Sequence, residues 1–354
     1  MALGLIIIKP VGNQCNLRCD YCYAICKDKK IFMSMQTLEQ IIKSFATLNS
    51  LPIFFWGGGE PLLAGINFFE KVIDLQSKYY TDKSFINSFQ TNGVLLNKKW
   101  IDFIKQHNFQ IGISWDGFND LSRTTIKGSL TANKVWEKIE LCCNEKINFG
   151  IITVMTQQNI KQLPQVAKFL YSKGIKNLLC KPYVGQVKKL SLNSTDYLKV
   201  MNQLLDLWLE TKDKDWVLEP VYSFVKSVVG DLNNIGCEFI NDCGNFLTIQ
   251  YNGDVTCCDF ISQCFVFGNI HKMNLNEIIN SPIYKSFVNK TKIKPKKCVS
   301  CFWKNFCGGG CLHYRNFNDQ FQKWGKYIFC ESRKILFNQI KSKEDKINII
   351  FHKI

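Results

Sequence analysis

The chain has 354 residues, 46% of them hydrophobic, and a formal net charge of +16. This length suits about two domains, and the apolar content excludes intrinsic disorder as the main state. The 17 cysteines beside 4 histidines exclude a Cys₂His₂ zinc-finger array, and a chain of this length needs no disulfide scaffold. What remains is a reduced intracellular protein that uses thiolates as metal ligands, or a cysteine excess without a functional role.

The sequence contains no signal for export or membrane insertion. The first apolar run, Leu3 to Ile8, is short and has no basic segment before it. No apolar stretch reaches the roughly 20 residues that cross a bilayer. We therefore expect a soluble cytoplasmic protein without a membrane partner.

Strand-like apolar runs alternate with helical periodicity through the first half of the chain. Apolar residues three or four apart, such as Met35, Leu38 and Ile42, lie between the runs. Six strand–helix units in a row predict an α/β fold with a parallel sheet, either doubly wound or curved into a barrel. The predicted strands are Leu5–Ile8, Ile53–Trp56, Phe85–Gln90, Gln110–Ser114, Phe149–Val154 and Asn177–Cys180.

The second half of the chain differs in character. Residues 185–236 have the pattern of a helical connector, whereas residues 237–354 are rich in cysteine and end in a predicted closing helix. In the cysteine-rich part, Asn252-Gly253 lies between two short apolar runs, which is a strong signal for a β-hairpin. We therefore predict three regions, 1–184, 185–236 and 237–354.

Three cysteines, Cys15, Cys19 and Cys22, follow the first predicted strand with C-x₃-C-x₂-C spacing. Thiolates this close together can bind three corners of a four-iron cluster, which leaves the fourth iron open to an exogenous ligand. A zinc site or chance clustering is the alternative, although a zinc knuckle usually has paired C-x₂-C arms and a histidine.

Three more motifs follow the next predicted strands. They are Gly58-Gly59-Glu60-Pro61, Gln90-Thr91-Asn92-Gly93 and Ser114-Trp115-Asp116-Gly117. The carboxyl ends of parallel strands meet at one edge of a sheet, where α/β proteins build their active sites. Together with the cysteine loop, these motifs predict one site at that edge.

The four motifs together resemble the radical S-adenosylmethionine (AdoMet) superfamily. The resemblance implies a partial (β/α)₆ TIM-like barrel over residues 1–184, in which the three cysteines hold a [4Fe-4S] cluster and AdoMet chelates the fourth iron. It also implies that Tyr21 lies against the adenine, and that the motif with Gly58, Gly59 and Glu60 binds the methionine amino group.

Eight more cysteines, spaced around the hairpin glycine Gly253, resemble the SPASM extension of that superfamily. The extension binds two auxiliary [4Fe-4S] clusters, which would bring the total to three. With four protein ligands each, these clusters would transfer electrons rather than coordinate substrate; one or two structural zinc sites are the alternative. The implied ligands are Cys237, Cys243, Cys258 and Cys311 for the nearer cluster, and Cys298, Cys301, Cys307 and Cys330 for the farther one.

The six remaining cysteines are expected to be structural. Three of them fall on predicted helix or strand and are expected to be buried apolar residues. The other three lie near the proposed clusters, which leaves a redox role open for them. The first group is Cys142, Cys143 and Cys180, and the second is Cys26, Cys257 and Cys264.

Along nearly its whole length the chain is similar to the anaerobic sulfatase-maturating enzymes, which share Ile8-Lys9-Pro10 and Leu63-Ala64-Gly65. Asp259 occupies the place of that family's catalytic base. A carboxylate there could take the proton that a substrate radical loses on oxidation, whereas an aspartate that caps a turn is the alternative. The AdoMet contacts implied by this resemblance are Tyr21, Gly59, Ser114, Arg123 and Val184.

Two motifs depart from the sulfatase-maturase pattern. Gly57-Gly58-Gly59-Glu60-Pro61-Leu62 replaces Gln-Gly-Gly-Glu-Pro-Thr, and Trp115-Asp116-Gly117-Phe118 replaces Met-Asp-Gly-Pro. Related maturases of ribosomal peptides share the clusters and the Gly-Gly-Glu-Pro-Leu form. We therefore expect an enzyme that installs a cyclophane, thioether or ether cross-link in a ribosomally made precursor peptide. Formylglycine formation in a sulfatase is the second hypothesis, and a non-catalytic iron–sulfur or zinc protein is the third.

The distribution of basic residues indicates which binding partners to expect. No acidic residue lies between Glu277 and Asp319, whereas eight lysines and arginines do. This stretch could steer an acidic leader peptide, although compensation of the cluster thiolates is the default explanation. We recognise no nucleic-acid-binding module and expect no nucleic acid as partner. The resemblance implies an external electron donor of the flavodoxin or ferredoxin type.

Overall fold

The structure, a computed structural model, describes residues 5–24, 31–48, 51–80, 84–241, 243–261, 265–318 and 323–351. Cys26 and Cys264 lie outside these residues. The strands are β1 (Leu5–Ile8), β2 (Leu17–Cys19), β3 (Ile53–Trp56), β4 (Ile86–Thr91), β5 (Gln110–Ser114), β6 (Arg123–Thr125), β7 (Phe149–Met155), β8 (Asn177–Pro182), β9 (Val217–Glu219), β10 (Phe246–Ile249), β11 (Asp254–Cys257), β12 (Val266–Asn269), β13 (Arg315–Asn318) and β14 (Lys323–Tyr327).

Helices separate most of these strands. They are α1 (Met35–Ala46), α2 (Ile66–Tyr79), α3 (Lys98–Gln106), α4 (Ala132–Asn144), α5 (Leu163–Ser172), α6 (Ser194–Thr211), α7 (Val221–Val228), α8 (Cys237–Ile240), α9 (Leu275–Asn280), α10 (Pro282–Lys292), α11 (Lys296–Val299), α12 (Lys304–Cys307), α13 (Cys330–Lys341) and α14 (Glu344–Phe351). The six predicted strands are confirmed as β1, β3, β4, β5, β7 and β8, with bounds that differ from the prediction by two residues at most. The chain therefore has the expected α/β fold.

The chain forms two compact units. The first comprises Met1–Ser114, Leu121–Phe149 and Gly244–Asn289, and the second comprises Trp115–Asp120, Gly150–Cys243 and Lys290–Ile354. In the part of the chain that the structure describes, no helix is both long and apolar enough to span a membrane.

In the first unit, seven strands follow one another in the order β12-β11-β10-β1-β3-β4-β5. β1, β3, β4 and β5 run parallel. The predicted hairpin is confirmed as β10 and β11, which pair antiparallel around Gly253, where φ is +86°. Unexpectedly, β10 also pairs parallel with β1, so that Ile6 lies between Phe54 and Leu247. The hairpin thus extends the N-terminal sheet.

The core of the first unit is largely aromatic. On α1, the N-cap Ser34 accepts a hydrogen bond from the backbone of Thr37, which satisfies a donor that the first helical turn would otherwise leave unpaired. The apolar face of α1 packs inward. Buried rings from β3, α2, β4 and α3 contact one another edge-to-face or stacked, and fix the strands whose carboxyl ends bear the motifs. These rings are Phe54, Trp56, Phe69, Phe89 and Trp100.

In the second unit, β7, β8 and β9 are parallel neighbours. The predicted connector contains α6, β9 and α7, and the predicted closing helix is α13. α6 begins at the N-cap Asn193, and its Tyr197 stacks on Phe329 with ring centroids 4.2 Å apart. This aromatic contact ties the connector to the cysteine-rich C-terminal part.

Cys142 on α4 and Cys180 on β8 are buried, as expected, but the prediction for Cys143 is wrong. The buried face of α4 comprises Ala132, Val135, Ile139 and Cys142. Positions three or four apart share one face of a helix, so the residue after Cys142 is turned outward.

Candidate active site

The cysteine loop begins after β1, and its second cysteine ends β2, where Cys19 lies opposite Arg123 of β6. Cys15 Sγ accepts hydrogen bonds from the Leu17 backbone and from Asn92 Nδ2, each at 3.4 Å. Burial raises the pKa of the Cys15 thiol, so a thiolate there requires a nearby positive charge such as iron supplies. Amide donors to sulfur and an all-thiolate donor set both fit a [4Fe-4S] cluster.

Gly58 and Gly59 pack against this loop. Gly59 N–H donates to the Gly12 carbonyl at 2.9 Å, and a Cβ on Gly59 would lie 1.9 Å from the carbonyl oxygen of Gln14. A Cβ on Gly58, where φ is +101°, would lie 2.6 Å from Cε of Lys9. The protein's own loop therefore requires both glycines, and their contact with AdoMet stays a prediction.

Gly59→Ala is expected to lower the thermal unfolding midpoint, because the added Cβ displaces backbone and costs about 1–3 kcal/mol. Gly57→Ala is the matched control, since its Cβ would have no neighbour closer than 3.4 Å. Thermal unfolding of the two anaerobically purified variants measures the difference. Equal midpoints would show that the cysteine loop does not depend on Gly59.

Glu60 is fully buried and joins the ends of β3 and β4. Its carboxylate accepts hydrogen bonds from Leu62 N at 3.1 Å, Thr91 Oγ1 at 2.7 Å and Asn92 N at 2.7 Å. Burial outweighs these donors and raises the pKa of Glu60 to about 7. A cationic ligand group nearby would favour the ionised form.

The predicted adenine and AdoMet contacts Tyr21 and Arg123 lie together. Arg123 is 4% exposed; its Nη1 lies 3.4 Å from the Tyr21 hydroxyl, and its Nη2 donates to the Asn92 carbonyl at 3.1 Å. Ser114 ends β5, and its Oγ accepts a hydrogen bond from Gln90 Nε2 at 3.0 Å. The ends of β4, β5 and β6 thus carry oriented polar groups beside the cysteine loop.

Asp259 lies two residues beyond β11 and is 5% exposed. Its Oδ1 forms an ion pair with Lys9 Nζ at 2.9 Å, with both side chains 3% exposed. Its Oδ2 accepts a hydrogen bond from the Tyr23 hydroxyl, and burial and the charge of Asp259 raise the pKa of Tyr23 well above its usual value. The pairing of β10 with β1 brings Asp259 to the cysteine loop.

Sequence reasoning did not assign roles to Lys9, Tyr23 or Asn92. Lys9 is 2% exposed. Its position directly after an apolar strand was the sequence signal for a role, because a lysine buried there needs an anionic partner for its ammonium group. Asn92 belongs to a motif that was identified without a residue role. Nothing in the sequence links Tyr23 to Asp259, since 236 residues separate them.

The other predicted ligands are placed as follows. Val184 follows β8 in the second unit and is half-buried. Cys258 belongs to the first unit, and the other seven auxiliary cysteines belong to the second. Among the described residues, no three His, Cys, Asp or Glu side chains surround a position for a single metal ion. A four-iron cluster differs, because each iron takes its own thiolate.

Cys298, Cys301, Cys307 and Cys330 line one pocket of the second unit. Lysines also line the pocket, together with Trp303 and Phe337. Four thiols with positive charges around them suit an anionic thiolate-ligated cluster. The lysines are Lys294, Lys297, Lys304, Lys326 and Lys334.

Two sequence families match this chain. The family described as Radical SAM superfamily matches residues 10–170, and the SPASM family, described as an iron–sulfur cluster-binding domain, matches residues 241–302. The first match covers the cysteine loop and the strand-end motifs. The second covers Cys243, Cys258, Cys298 and Cys301.

Individual proteins are similar over nearly the whole chain. A cysteine-type anaerobic sulfatase-maturating enzyme of Clostridium novyi (strain NT) is 31% identical over 96% of this chain and 95% of its own length. The solved structure of native anSMEcpe with bound AdoMet and Cp18Cys peptide superposes with a TM-score of 0.89, 28% identity and 98% coverage of both chains. SuiB of Streptococcus suis bound to precursor peptide SuiA, at 16% identity, a TM-score of 0.65 and coverage of 88% of this chain and 73% of SuiB, shares the fold alone.

Proposed function

The chain belongs to the radical SAM superfamily, as a SPASM-domain relative of the anaerobic sulfatase-maturating enzymes, and on this basis we propose that it oxidises a cysteine side chain of its substrate to formylglycine. The supporting observation is the whole-length similarity to a cysteine-type maturase at 31% identity. In this chain a buried carboxylate, Asp259, also lies beside the cysteine loop. The proposal reverses the order of the two hypotheses drawn from the sequence.

The cofactors follow from the ligand sets. We propose three [4Fe-4S] clusters on the eleven assigned cysteines, with AdoMet at the cluster of Cys15, Cys19 and Cys22, and an external electron donor of the flavodoxin or ferredoxin type. When bound, these groups supply the 5′-deoxyadenosyl radical, which takes a hydrogen atom from the substrate carbon, and accept one electron from the resulting radical. The chain's own residues bind the substrate and remove a proton.

The proposed conversion balances. The substrate CH₂–SH group loses a hydrogen atom from carbon, then one electron and the thiol proton, to give a thioaldehyde, which water converts to the aldehyde with release of hydrogen sulfide. Asp259 takes the proton. Lys9 and Tyr23 each hold one of its carboxylate oxygens, and each oxygen retains a second lone pair for the proton. The carboxylate is thus oriented before the substrate reacts.

One observation favours cross-linking as the second candidate. Phe118, in the turn that departs from the maturase pattern, is 44% exposed and packs edge-to-face on Trp115 at 5.0 Å. An exposed aromatic side chain there offers a contact for an apolar residue of a precursor peptide. Both candidates begin with abstraction of a hydrogen atom from a substrate carbon, and they differ in whether that carbon becomes an aldehyde or forms a bond to a second side chain.

The test uses the reconstituted enzyme with AdoMet, a reductant and a synthetic peptide that carries a sulfatase cysteine sequon. Mass spectrometry should show loss of the sulfur and of two hydrogens with gain of one oxygen at the cysteine, and a peptide with alanine at that position should remain unchanged. Loss of two hydrogens with sulfur retained would instead support the cross-link. AdoMet cleavage with an unaltered cysteine would contradict the formylglycine proposal.

A further inference from the structure

Two buried arginines hold the segment that joins the ligands of the two proposed auxiliary clusters. Arg315 donates from Nε to the Gly309 carbonyl at 2.9 Å, and from Nη2 to the carbonyls of Gly308 and Gly310 at 3.4 and 3.2 Å. Arg333 donates from Nη2 to the Cys307 carbonyl at 3.1 Å. Four consecutive carbonyls, from Cys307 to Gly310, therefore accept hydrogen bonds from a buried guanidinium.

The segment is built around Arg315, which is 4% exposed. Gly309 has φ of +92°, and a Cβ there would lie 2.2 Å from Arg315 Nη2. Gly310 has φ of +77°, and its Cβ would lie 2.4 Å from the ring of Tyr327. Only glycine combines this backbone conformation with such close contacts. Gly309 and Gly310 are thus explained by their contacts with Arg315 and Tyr327.

The donors of the Arg315 guanidinium do not all have hydrogen-bond acceptors. Among the described residues, its buried Nη1 has no hydrogen-bond partner. Burial lowers the pKa of Arg315, and the thiols of four cysteines oppose this effect. Two of the four belong to each proposed cluster: Cys243 and Cys311 to the nearer, Cys298 and Cys307 to the farther. Thiolate-ligated clusters carry a net negative charge and would supply the counter-charge that the buried guanidinium lacks.

We propose that the buried charge of Arg315 raises the reduction potentials of both auxiliary clusters. A cluster gains one negative charge on reduction, and a buried cation nearby stabilises that reduced form. The inference rests on the proposed assignment of the auxiliary ligands.

The experiment is a redox titration followed by electron paramagnetic resonance. It uses the full chain with Cys15, Cys19 and Cys22 replaced by alanine, so that only auxiliary clusters give signals. Arg315→Gln removes the charge, whereas Arg315→Lys keeps it and loses the forked donor geometry. Lys304→Gln is the matched control, since Lys304 lines the pocket with Cys298 and Cys307 but is exposed and screened by solvent.

We expect Arg315→Gln to shift both potentials to more negative values, and both Arg315→Lys and Lys304→Gln to leave them near those of the parent. Unchanged potentials in Arg315→Gln, or an equal shift in Lys304→Gln, would overturn the inference while the cluster assignment stands. If Arg315→Gln loses iron, the lysine variant decides: parental potentials support the role of charge, and a negative shift or loss of both clusters refutes it. A parent without auxiliary iron would overturn the assignment and the inference together.

Discussion

Replacing Cys15, Cys19 and Cys22 by alanine is expected to abolish release of 5′-deoxyadenosine from AdoMet. The three thiolates are the proposed protein ligands of the cluster that binds AdoMet, and alanine offers iron no ligand. Iron content should fall from about twelve to about eight atoms per chain, because two four-iron clusters would remain. Iron and sulfide analysis and product chromatography measure both effects.

Cys143→Ala is the matched control for this loss, because Cys143 is an exposed thiol on α4 that is assigned to no cluster. It should retain iron and AdoMet cleavage at the parental level. A triple variant that still releases 5′-deoxyadenosine, or that keeps about twelve irons, would show that the loop after β1 does not hold the reactive cluster.

Asp259→Asn is expected to lower product formation by about 10²–10⁴-fold, the usual contribution of a positioned base, while AdoMet cleavage continues. The amide keeps an oxygen that can accept from Lys9, and the Tyr23 hydroxyl can turn to accept from the new N–H group. The local hydrogen bonds are therefore preserved, and what is lost is the proton acceptor. Parallel measurement of 5′-deoxyadenosine and modified peptide separates the two steps.

Asp254→Asn provides the same chemical change in the same hairpin, on a carboxylate that bonds Asn252 and Asn269. It should leave product formation near the parental rate. If Asp259→Asn makes product at an unchanged rate, the base is another group. Iron content and thermal unfolding of both variants exclude a general loss of structure, which matters because breaking a buried ion pair can cost about 3–5 kcal/mol.

The fold was predictable because its signals are local. The apolar runs that became β1, β3 and β5 have the predicted bounds, since a short run of apolar residues between turn signals specifies a buried strand. The cysteine spacings also predicted the families that match the chain. Local patterns of this kind need no knowledge of the partner strands.

Pairings between distant segments were not predictable from the same signals. The hairpin turn at Gly253 is visible in the sequence, but the strand to which β10 pairs is not. For this reason Asp259 could be placed only by resemblance, and Lys9 and Tyr23 received no role. Arg315 gave no signal either, because one arginine in a basic stretch looks like a solvated surface charge until its burial is known.

The pairing of β1 with β10 has a consequence for the order of events during synthesis. Lys9 and Asp259 are 250 residues apart in sequence, so at about 5–20 residues per second the carboxylate leaves the ribosome roughly 10–50 s after the lysine. Until then one edge of β1 lacks its partner, and an open strand edge can pair with other chains. The loop with Cys15, Cys19 and Cys22 therefore completes its surroundings only after residue 259 has left the ribosome.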